Sequence, residues 1–228
     1  MTSALTLLDV TKQYPGSPPV YAMRSVSVEI ETGEFVAVVG PSGSGKSTLL
    51  AIVGTLERPT SGRVAVAGEA VEHLSDSELS AVRAHAIGFV FQQFFLVGHL
   101  SALDNVANGL LYRGTPLADR RRAALDALTE VGLGHRAGHR PNELSGGECQ
   151  RTAIARAVVG RPAIILADEP TGNVDSAQGA EILDLLFEIN AKGTTIVVVT
   201  HNREVSDALP RTVRLRDGAV EADTRAER

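Results

Sequence analysis

The stretch GPSGSGKST, residues 40–48, constrains the possible folds of this chain more than any other feature. It matches the phosphate-loop pattern G-x-x-x-x-G-K-[ST], it follows the unbroken apolar run FVAVV, and a helical pattern runs from about Lys46 to Val53. The glycines let backbone N–H groups point at a phosphate, Lys46 supplies a cation, and Ser47 offers a hydroxyl to Mg²⁺. A glycine-rich turn without a ligand is the much weaker alternative. The predicted phosphate-binding residues are Gly40, Pro41, Ser42, Gly43, Ser44, Gly45, Lys46, Ser47 and Thr48.

The run AIILADEP predicts a second buried strand, which ends at two acids, Asp168 and Glu169. Ligands of open α/β sheets bind at the carboxyl ends of the strands. Neighbouring residues of an extended chain point to opposite sides, so we expect Asp168 to face a magnesium ion through water and Glu169 to face a water that attacks the γ-phosphate. Two solvated acids in a turn are a weak alternative, because the preceding run is too apolar for an exposed strand.

Two further apolar runs, IGFVF and TTIVVV, are followed by polar side chains that are suited to the same site. Gln92 follows the first run and is predicted to offer its amide oxygen to magnesium and water. His201 follows the second, where an imidazole can contact the γ-phosphate and orient the water. A lone histidine after a strand is more often structural, but its position at the same sheet edge favours a role in the site. The other five histidines show no pattern typical of metal ligands.

Strand and helix patterns alternate on both sides of a helical segment. LTLLDV and VYAMRSVSVEI predict antiparallel strands, strand signals vanish from about Phe94 to Val159, and a hairpin is predicted around Asp217-Gly218. We therefore predict an α/β fold of the P-loop NTPase type, with a doubly wound, mostly parallel sheet, an N-terminal antiparallel β subdomain and a helical insertion lobe. The predicted division is a single domain over 1–228, with a core of 1–93 and 160–228 and a helical lobe over 94–159.

Composition excludes several other classes of protein. The chain of 228 residues is 43% hydrophobic and carries a net charge of −5, which fits one globular domain and argues against a nucleic-acid cradle. No apolar run is long enough to span a membrane, and the first residues lack the order of a signal peptide, so we expect a cytoplasmic protein. The single cysteine, Cys149, excludes an internal disulfide and fits a reducing compartment.

A second glycine pair lies in NELSGGECQR, residues 142–151, directly before a predicted helix, where it looks like another phosphate loop. In the order GPSGSGKST, FQQ, LSGGE, LADEP, NVD and VTH, the motifs resemble the nucleotide-binding subunit of ABC transporters over nearly the whole chain. LSGGE is the specific part, because phosphate loops with an acidic strand occur in many ATPases and GTPases. The flanking sequences look most like the branch of macrolide-export, lipoprotein-release and cell-division ATPases.

The resemblance implies that the second loop acts in trans. Ser145, Gly146 and Gly147 of one chain would close over the γ-phosphate held by Lys46 of a second copy, so that two chains sandwich two ATP molecules head to tail. ADP lacks the γ-phosphate, so ATP would drive homodimerisation and hydrolysis would release it.

The resemblance also implies the cofactors and the remaining roles. ATP and Mg²⁺ are the expected cofactors, Glu169 matches the catalytic base and His201 the γ-phosphate sensor. The expected magnesium residues are Ser47, Gln92 and Asp168.

Four further positions match nucleotide contacts of the family. Tyr14 matches the aromatic residue that stacks on adenine, although without the resemblance it is as readily a turn tyrosine. Asp175 matches the residue that links the two sites across the dimer, and Val20 and Glu148 match further contacts. Cys149 replaces a usually polar residue: a modifiable thiol near the phosphate is possible, and a plain helix residue is favoured.

The expected partner is an integral membrane permease on a separate chain, of the four-span type with a large extracytoplasmic domain, with the ATPase on the cytoplasmic face of the membrane and no nucleic acid bound. The pair would export or extrude a lipoprotein, peptide or antibiotic by mechanical transmission. The segment 94–97 lies where the family docks this partner, and lobe packing or a docking groove are equally good interpretations. Relatives read FN-L-L-P where this chain has FFLVG, so partner choice is expected to differ.

Two rival functions share the same ATP chemistry. The first is a soluble ABC ATPase of DNA repair or translation, but such proteins carry tandem cassettes, coiled arms or basic extensions, which this sequence lacks. The second is a cell-envelope regulator whose permease transmits force without moving a solute, and the ATPase sequence does not separate this function from export.

Overall fold

A computed structural model describes residues 3–225 of the chain. The strands are β1 (Ser3–Tyr14), β2 (Val20–Glu31), β3 (Phe35–Val39), β4 (Ser61–Val66), β5 (Glu69–Ala70), β6 (Ile87–Phe91), β7 (Ile164–Asp168), β8 (Thr195–Val199), β9 (Arg211–Arg216) and β10 (Ala219–Arg225). The α-helices are α1 (Lys46–Val53), α2 (Asp76–Ala86), α3 (Ala102–Ala107), α4 (Leu117–Glu130), α5 (Gly146–Val158), α6 (Ser176–Ala191) and α7 (Arg203–Ala208). Three short 3₁₀ helices cover Asn108–Arg113, Gly134–Arg136 and Pro141–Glu143.

The strands of residues 3–225 form two sheets. A six-stranded sheet has the order β10-β9-β3-β8-β7-β6, in which only the β9–β10 pair is antiparallel. A four-stranded antiparallel sheet has the order β2-β1-β4-β5. The predicted mostly parallel sheet and antiparallel N-terminal subdomain are therefore confirmed.

The two faces of β3 define two hydrophobic cores. Val36 and Val38 pack in a core that α1, α2 and the four-stranded sheet share. Phe35 and Ala37 face the opposite core, to which α3 through α7 contribute. Helices on both faces explain why the central strands are apolar at every position, since neither face meets water. The fold is thus doubly wound, as the sequence predicts.

The phosphate loop packs tightly against the antiparallel sheet. Gly45 has a φ of 102°, and a Cβ there would lie 2.4 Å from the carbonyl oxygen of Ala22 in β2. Only glycine tolerates both the conformation and the close approach. The tip of the β1–β2 hairpin, with Tyr14 opposite Val20, is therefore held beside the loop that begins α1.

Helix α5 belongs to the same core as the sheet. Ile154 and Ala155 are buried in the core that also contains Ile165 of β7. The predicted boundary of a helical lobe over 94–159 remains a prediction. Sequence patterns missed the six-residue helices α3 and α7, which are too short to show an apolar period. Among the described residues, no helix is both long and apolar enough to cross a bilayer.

Candidate nucleotide-binding site

Four parallel strands end side by side, and their register brings the predicted site residues to one edge of the sheet. Val38 is paired with Val199, Val199 with Asp168, and Asp168 with Phe91. The loops that follow these strands therefore start next to one another, at the position where open α/β sheets bind ligands. The predicted residues that follow these strands are Gly40, Gln92, Glu169 and His201.

The loop over residues 40–48 gathers positive potential at the start of α1. Helix α1 has no side-chain cap at Gly45, so its first N–H groups remain free for a ligand. The ammonium of Lys46 lies over the loop and donates to the carbonyl oxygens of Gly40 at 2.8 Å and Pro41 at 3.0 Å. Ser47 is exposed in the first turn, whereas the buried hydroxyl of Ser44 has no partner among residues 3–225. This arrangement is suited to an anion.

Glu169 is held at the end of β7 by a turn. Its φ is 45°, a conformation that costs a non-glycine residue about 1–2 kcal/mol and is typical of functional sites. Its backbone N–H donates to the carbonyl of Val199, and its carboxylate accepts from the Thr200 hydroxyl at 2.9 Å and from the backbone N–H of His201 at 2.8 Å. The His201 ring nitrogen Nδ1 also bonds this carboxylate, while the ring is 77% exposed.

The prediction that Asp168 and Glu169 continue an extended chain is wrong. Strand β7 ends at Asp168, and the left-handed conformation of Glu169 turns its carboxylate toward the end of β8. Asp168 is half-buried, and burial, followed by the charge of Glu169, raises the pKa of its carboxyl group, while Lys46 opposes the rise. The two acids thus have different surroundings because the chain turns at Glu169, not because successive side chains of a strand alternate between two faces.

The donor set around this edge fits a magnesium ion. A serine hydroxyl at Ser47, a carboxylate at Asp168 and an amide oxygen at Gln92 are hard oxygen donors, and Mg²⁺ is typically held by one or two carboxylates together with substrate phosphates. In residues 3–225, no cluster of three or more His, Cys, Asp or Glu side chains forms a metal site by itself.

Gln92 is linked to the loop that follows Glu169. Its Nε2 donates to the side-chain oxygen of Asn173 at 3.3 Å, and the Asn173 amide donates back to the Gln92 carbonyl at 2.9 Å. A Cβ on Gly172 would come within 2.7 Å of Gln92 Nε2, so the glycine makes room for this contact. The two loops that border the predicted metal position are therefore joined.

The second glycine loop, residues 145–148, lies at the start of α5. Ser145 caps α5: its hydroxyl accepts from the Glu148 N–H at 3.2 Å, and the Glu148 carboxylate accepts from the Ser145 N–H at 2.8 Å. That backbone bond, followed by the Ser145 hydroxyl and the charges of Arg136 and Arg151, lowers the pKa of Glu148. Within residues 3–225, no hydrogen bond or ion pair connects residues 145–148 with residues 40–48.

The two glycines of this loop have different surroundings. Gly147 is buried, and a Cβ there would lie 2.3 Å from Oε1 of Gln178, so Gly147 allows α6 to approach α5. Gly146 and Ser145 are exposed. Ser145 caps the Glu148 N–H, whereas the N–H groups of Gly146 and Gly147 have no partner within the helix, so the exposed start of α5 is suited to an anion.

Three further predicted nucleotide contacts lie at the tip of the β1–β2 hairpin and at the start of α6. The Tyr14 hydroxyl donates to Glu57 at 2.7 Å, and Lys12 Nζ lies 5.1 Å from the centre of the Tyr14 ring. Val20 is exposed opposite Tyr14. Asp175 caps α6 by accepting from the Gln178 N–H at 2.9 Å.

Sequence reasoning missed Glu57 and Gln150. Glu57 follows α1 and reaches Tyr14, 43 residues away in sequence. Gln150 is fully buried and donates to the Pro170 carbonyl at 2.7 Å. A glutamine among apolar helix positions is the only signal that the sequence offers.

Cys149 is buried, and burial, followed by the charge of Glu148, raises the pKa of its thiol, which favours the plain helix residue over a reactive thiol.

The fold and the loop at Lys46 define a phosphate-loop nucleotide-binding protein. The family model described as ABC transporter matches residues 23–172, and the chain belongs to this family. The predicted resemblance to the macrolide-export and lipoprotein-release branch is confirmed by its relatives.

The relatives include proteins with and without a permease part. The chain is 51% identical to an uncharacterized ABC transporter ATP-binding protein of Thermotoga maritima, over 97% of this chain and 95% of the relative. It is 48% identical to the lipoprotein-releasing system ATP-binding protein LolD of Geobacter metallireducens, over 98% of this chain and 100% of LolD. It is 46% identical to the macrolide export ATP-binding/permease protein MacB of Hyphomonas neptunium, of which it spans 34%.

A solved structure supports the fold. It is described as the dimeric, post-hydrolysis state of an ATP-binding cassette bound to ADP and Pi, and it matches this chain with a TM-score of 0.89 and 45% identity. The match covers 98% of this chain and 99% of the other.

Proposed function

We propose that this chain is the ATP-hydrolysing, Mg²⁺-dependent subunit of an ABC transporter, and that ATP-driven head-to-tail dimerisation powers a separate membrane permease. One observation carries the proposal. Two helix starts are suited to an anion, at Lys46 and at Ser145, and no hydrogen bond or ion pair within residues 3–225 joins them. Two copies in head-to-tail arrangement would place each Ser145 loop over the other copy's phosphate loop. The dimeric cassette with ADP and Pi among the similar structures supports this arrangement.

The hydrolytic roles follow the positions of the side chains. Lys46 exchanges its two carbonyl contacts for the β- and γ-phosphate oxygens, and the N–H groups of the loop hold the β-phosphate. Glu169 accepts a proton from the attacking water, which His201 helps to position beside it. The partner's Ser145 loop stabilises charge that develops on the transferring phosphoryl group. Ser47, Asp168 and Gln92 would hold Mg²⁺, which when bound would offset charge on the phosphate oxygens.

The remaining predicted residues keep their proposed roles. Tyr14 stacks on adenine with Val20 beside it, and Asp175 links the two sites of the dimer. Glu148 supports the loop by fixing the Ser145 backbone.

In this proposal the subunit lies on the cytoplasmic face of the membrane, with a permease of the four-span type. LolD, which the chain matches over its full length, is named as the ATP-binding protein of a lipoprotein-releasing system, and this relation supports export or extrusion of a lipoprotein, peptide or antibiotic.

A groove beside β6 has an apolar wall suited to binding a protein partner. Its cavity is about 660 Å³, and its apolar wall includes Phe89, Phe91 and Phe95. Phe95 is 61% exposed and Val97 is also exposed, whereas Phe94 and Leu96 are half-buried, so the segment 94–97 both packs inward and presents an apolar surface.

The rim of the groove is positively charged. Arg83, Arg113 and Arg156 line it and donate to backbone carbonyls, and none of the three pairs with a carboxylate in residues 3–225. We infer that a segment of the permease with apolar and acidic side chains binds here, because it would cover the aromatic wall and offset the arginine charges.

Phe95→Ser is expected to reduce association with the permease at least tenfold, because a buried phenylalanine contributes about 1.5–3 kcal/mol to an interface. The measurement is recovery of the permease with the tagged chain from detergent-solubilised membranes. Leu125→Ser, which changes another exposed apolar side chain on α4, is the control and should leave recovery unchanged. Equal recovery with both variants would contradict the assignment of the groove. Copurified RNA or DNA in place of a membrane protein would favour the nucleic-acid rival.

A further inference from the structure

The side chain of Gln150 connects α5, which begins at the second glycine loop, to the two loops that contain Gln92 and Glu169. It lies in α5, four residues after Gly146, and its side chain is fully buried. Its Nε2 donates to the Pro170 carbonyl at 2.7 Å and lies 3.5 Å from the Phe91 carbonyl. Pro170 directly follows Glu169, and Phe91 directly precedes Gln92.

The other end of the same side chain is unpaired. Gln150 Oε1 is buried and has no hydrogen-bond partner among residues 3–225. An unsatisfied buried oxygen costs about 1–3 kcal/mol, and an apolar side chain of similar volume would avoid this cost. Packing alone therefore does not account for a glutamine here, whereas a requirement for its N–H donors does.

We propose that Gln150 is a positioning residue that couples the Ser145 loop of a chain to Glu169 and Gln92 of the same chain. This inference rests on the proposed function. In the head-to-tail dimer the Ser145 loop touches the partner's ATP, while Glu169 acts on the chain's own ATP. A shift of α5 when its loop closes on the partner's γ-phosphate is transmitted through the Gln150 amide to both catalytic loops. Occupancy of one pocket thereby prepares the base of the other.

The direct test replaces Gln150 with methionine, which keeps the volume and removes the amide. We expect ATP affinity to be unchanged, kcat to fall about 10- to 100-fold, as for misplaced catalytic groups, and the Hill coefficient for ATP to fall from above 1 in the wild type toward 1. Thr195→Val is the matched control, because Thr195 is also fully buried and accepts one backbone N–H, from Gly33, at the opposite edge of the sheet. It should lower the melting temperature without changing the Hill coefficient. If Gln150→Met does not fold, Gln150→Asn, which is too short to reach Pro170, gives the same comparison.

The outcomes separate this inference from the proposed function. A variant with the wild-type kcat and Hill coefficient would overturn the coupling role of Gln150 and leave the dimer intact. So would a loss of kcat with an unchanged Hill coefficient and a loss of thermal stability equal to that of Thr195→Val, because that pattern indicates a structural role. A wild-type Hill coefficient of 1 with no dimer under Mg-ATP would remove the proposed dimer, and the coupling with it.

Discussion

Replacing Glu169 with glutamine is expected to stop ATP turnover while ATP remains bound. Glutamine keeps the length of the side chain and one acceptor oxygen, which can take the bond from the His201 backbone, while its amide NH2 replaces the oxygen that accepts from Thr200. It cannot accept the proton of the attacking water, so the hydrolysis rate should fall about 10²- to 10⁴-fold. Since the γ-phosphate is then not removed, the dimer that it stabilises should accumulate. Light scattering with saturating Mg-ATP measures the dimer, and phosphate release measures turnover.

The control for this variant is Glu188→Gln, an exposed position on α6 that makes the same chemical change away from the site. It should hydrolyse ATP at the wild-type rate, and its fraction of dimer with Mg-ATP should equal that of the wild type. A Glu169→Gln protein that stays monomeric with saturating Mg-ATP would contradict the shared pocket. A variant with near wild-type turnover would contradict the role of Glu169 as the base.

Lys46→Ala is expected to weaken ATP binding itself, by roughly 10- to 100-fold, because a hydrogen bond to a charged group contributes about 1.5–3 kcal/mol. The ammonium is already positioned over the loop by Gly40 and Pro41, so little reordering accompanies binding. Titration calorimetry gives the affinity directly. Lys192→Ala is the control, since Lys192 pairs with Glu130 and lines a separate cavity. Unchanged affinity in the Lys46 variant would count against the assignment of the phosphate loop.

Local signals in the sequence predicted much of the fold. The predicted helix from Lys46 to Val53 coincides with α1, and the hairpin predicted around Asp217-Gly218 joins β9 to β10. Both depend on neighbouring residues, so the sequence contains the information needed. The conformation of Glu169 does not follow from such rules, because its turn is fixed by a hydrogen bond to β8, 30 residues away along the chain.

Site residues that follow the end of a strand could be predicted from the sequence. Residues whose positions depend on contacts between distant segments of the chain could not. Strand order is not visible in the sequence, yet apolar runs that end at Gln92, Asp168 and His201 were enough to predict a common edge. The bond of Tyr14 to Glu57 and the reach of Gln150 to Pro170 depend on tertiary packing. The expectation that Ser145 acts in trans came from the family resemblance, because the sequence patterns of one chain do not specify a second copy.

The central claim is that each pocket combines Lys46 of one chain with Ser145 of another, and mixing two inactive variants tests it most directly. Lys46→Ala and Ser145→Arg should each abolish hydrolysis, the second because a bulky cation blocks the start of α5. In a mixed dimer, one pocket combines the intact phosphate loop of one chain with the intact Ser145 loop of the other. We predict that the mixture hydrolyses ATP measurably faster than the sum of the separate rates, and more slowly than half the wild-type rate, because Glu169 of the intact pocket belongs to the chain whose own Ser145 loop is blocked. A mixture that forms dimers yet remains as inactive as its components would contradict the claim.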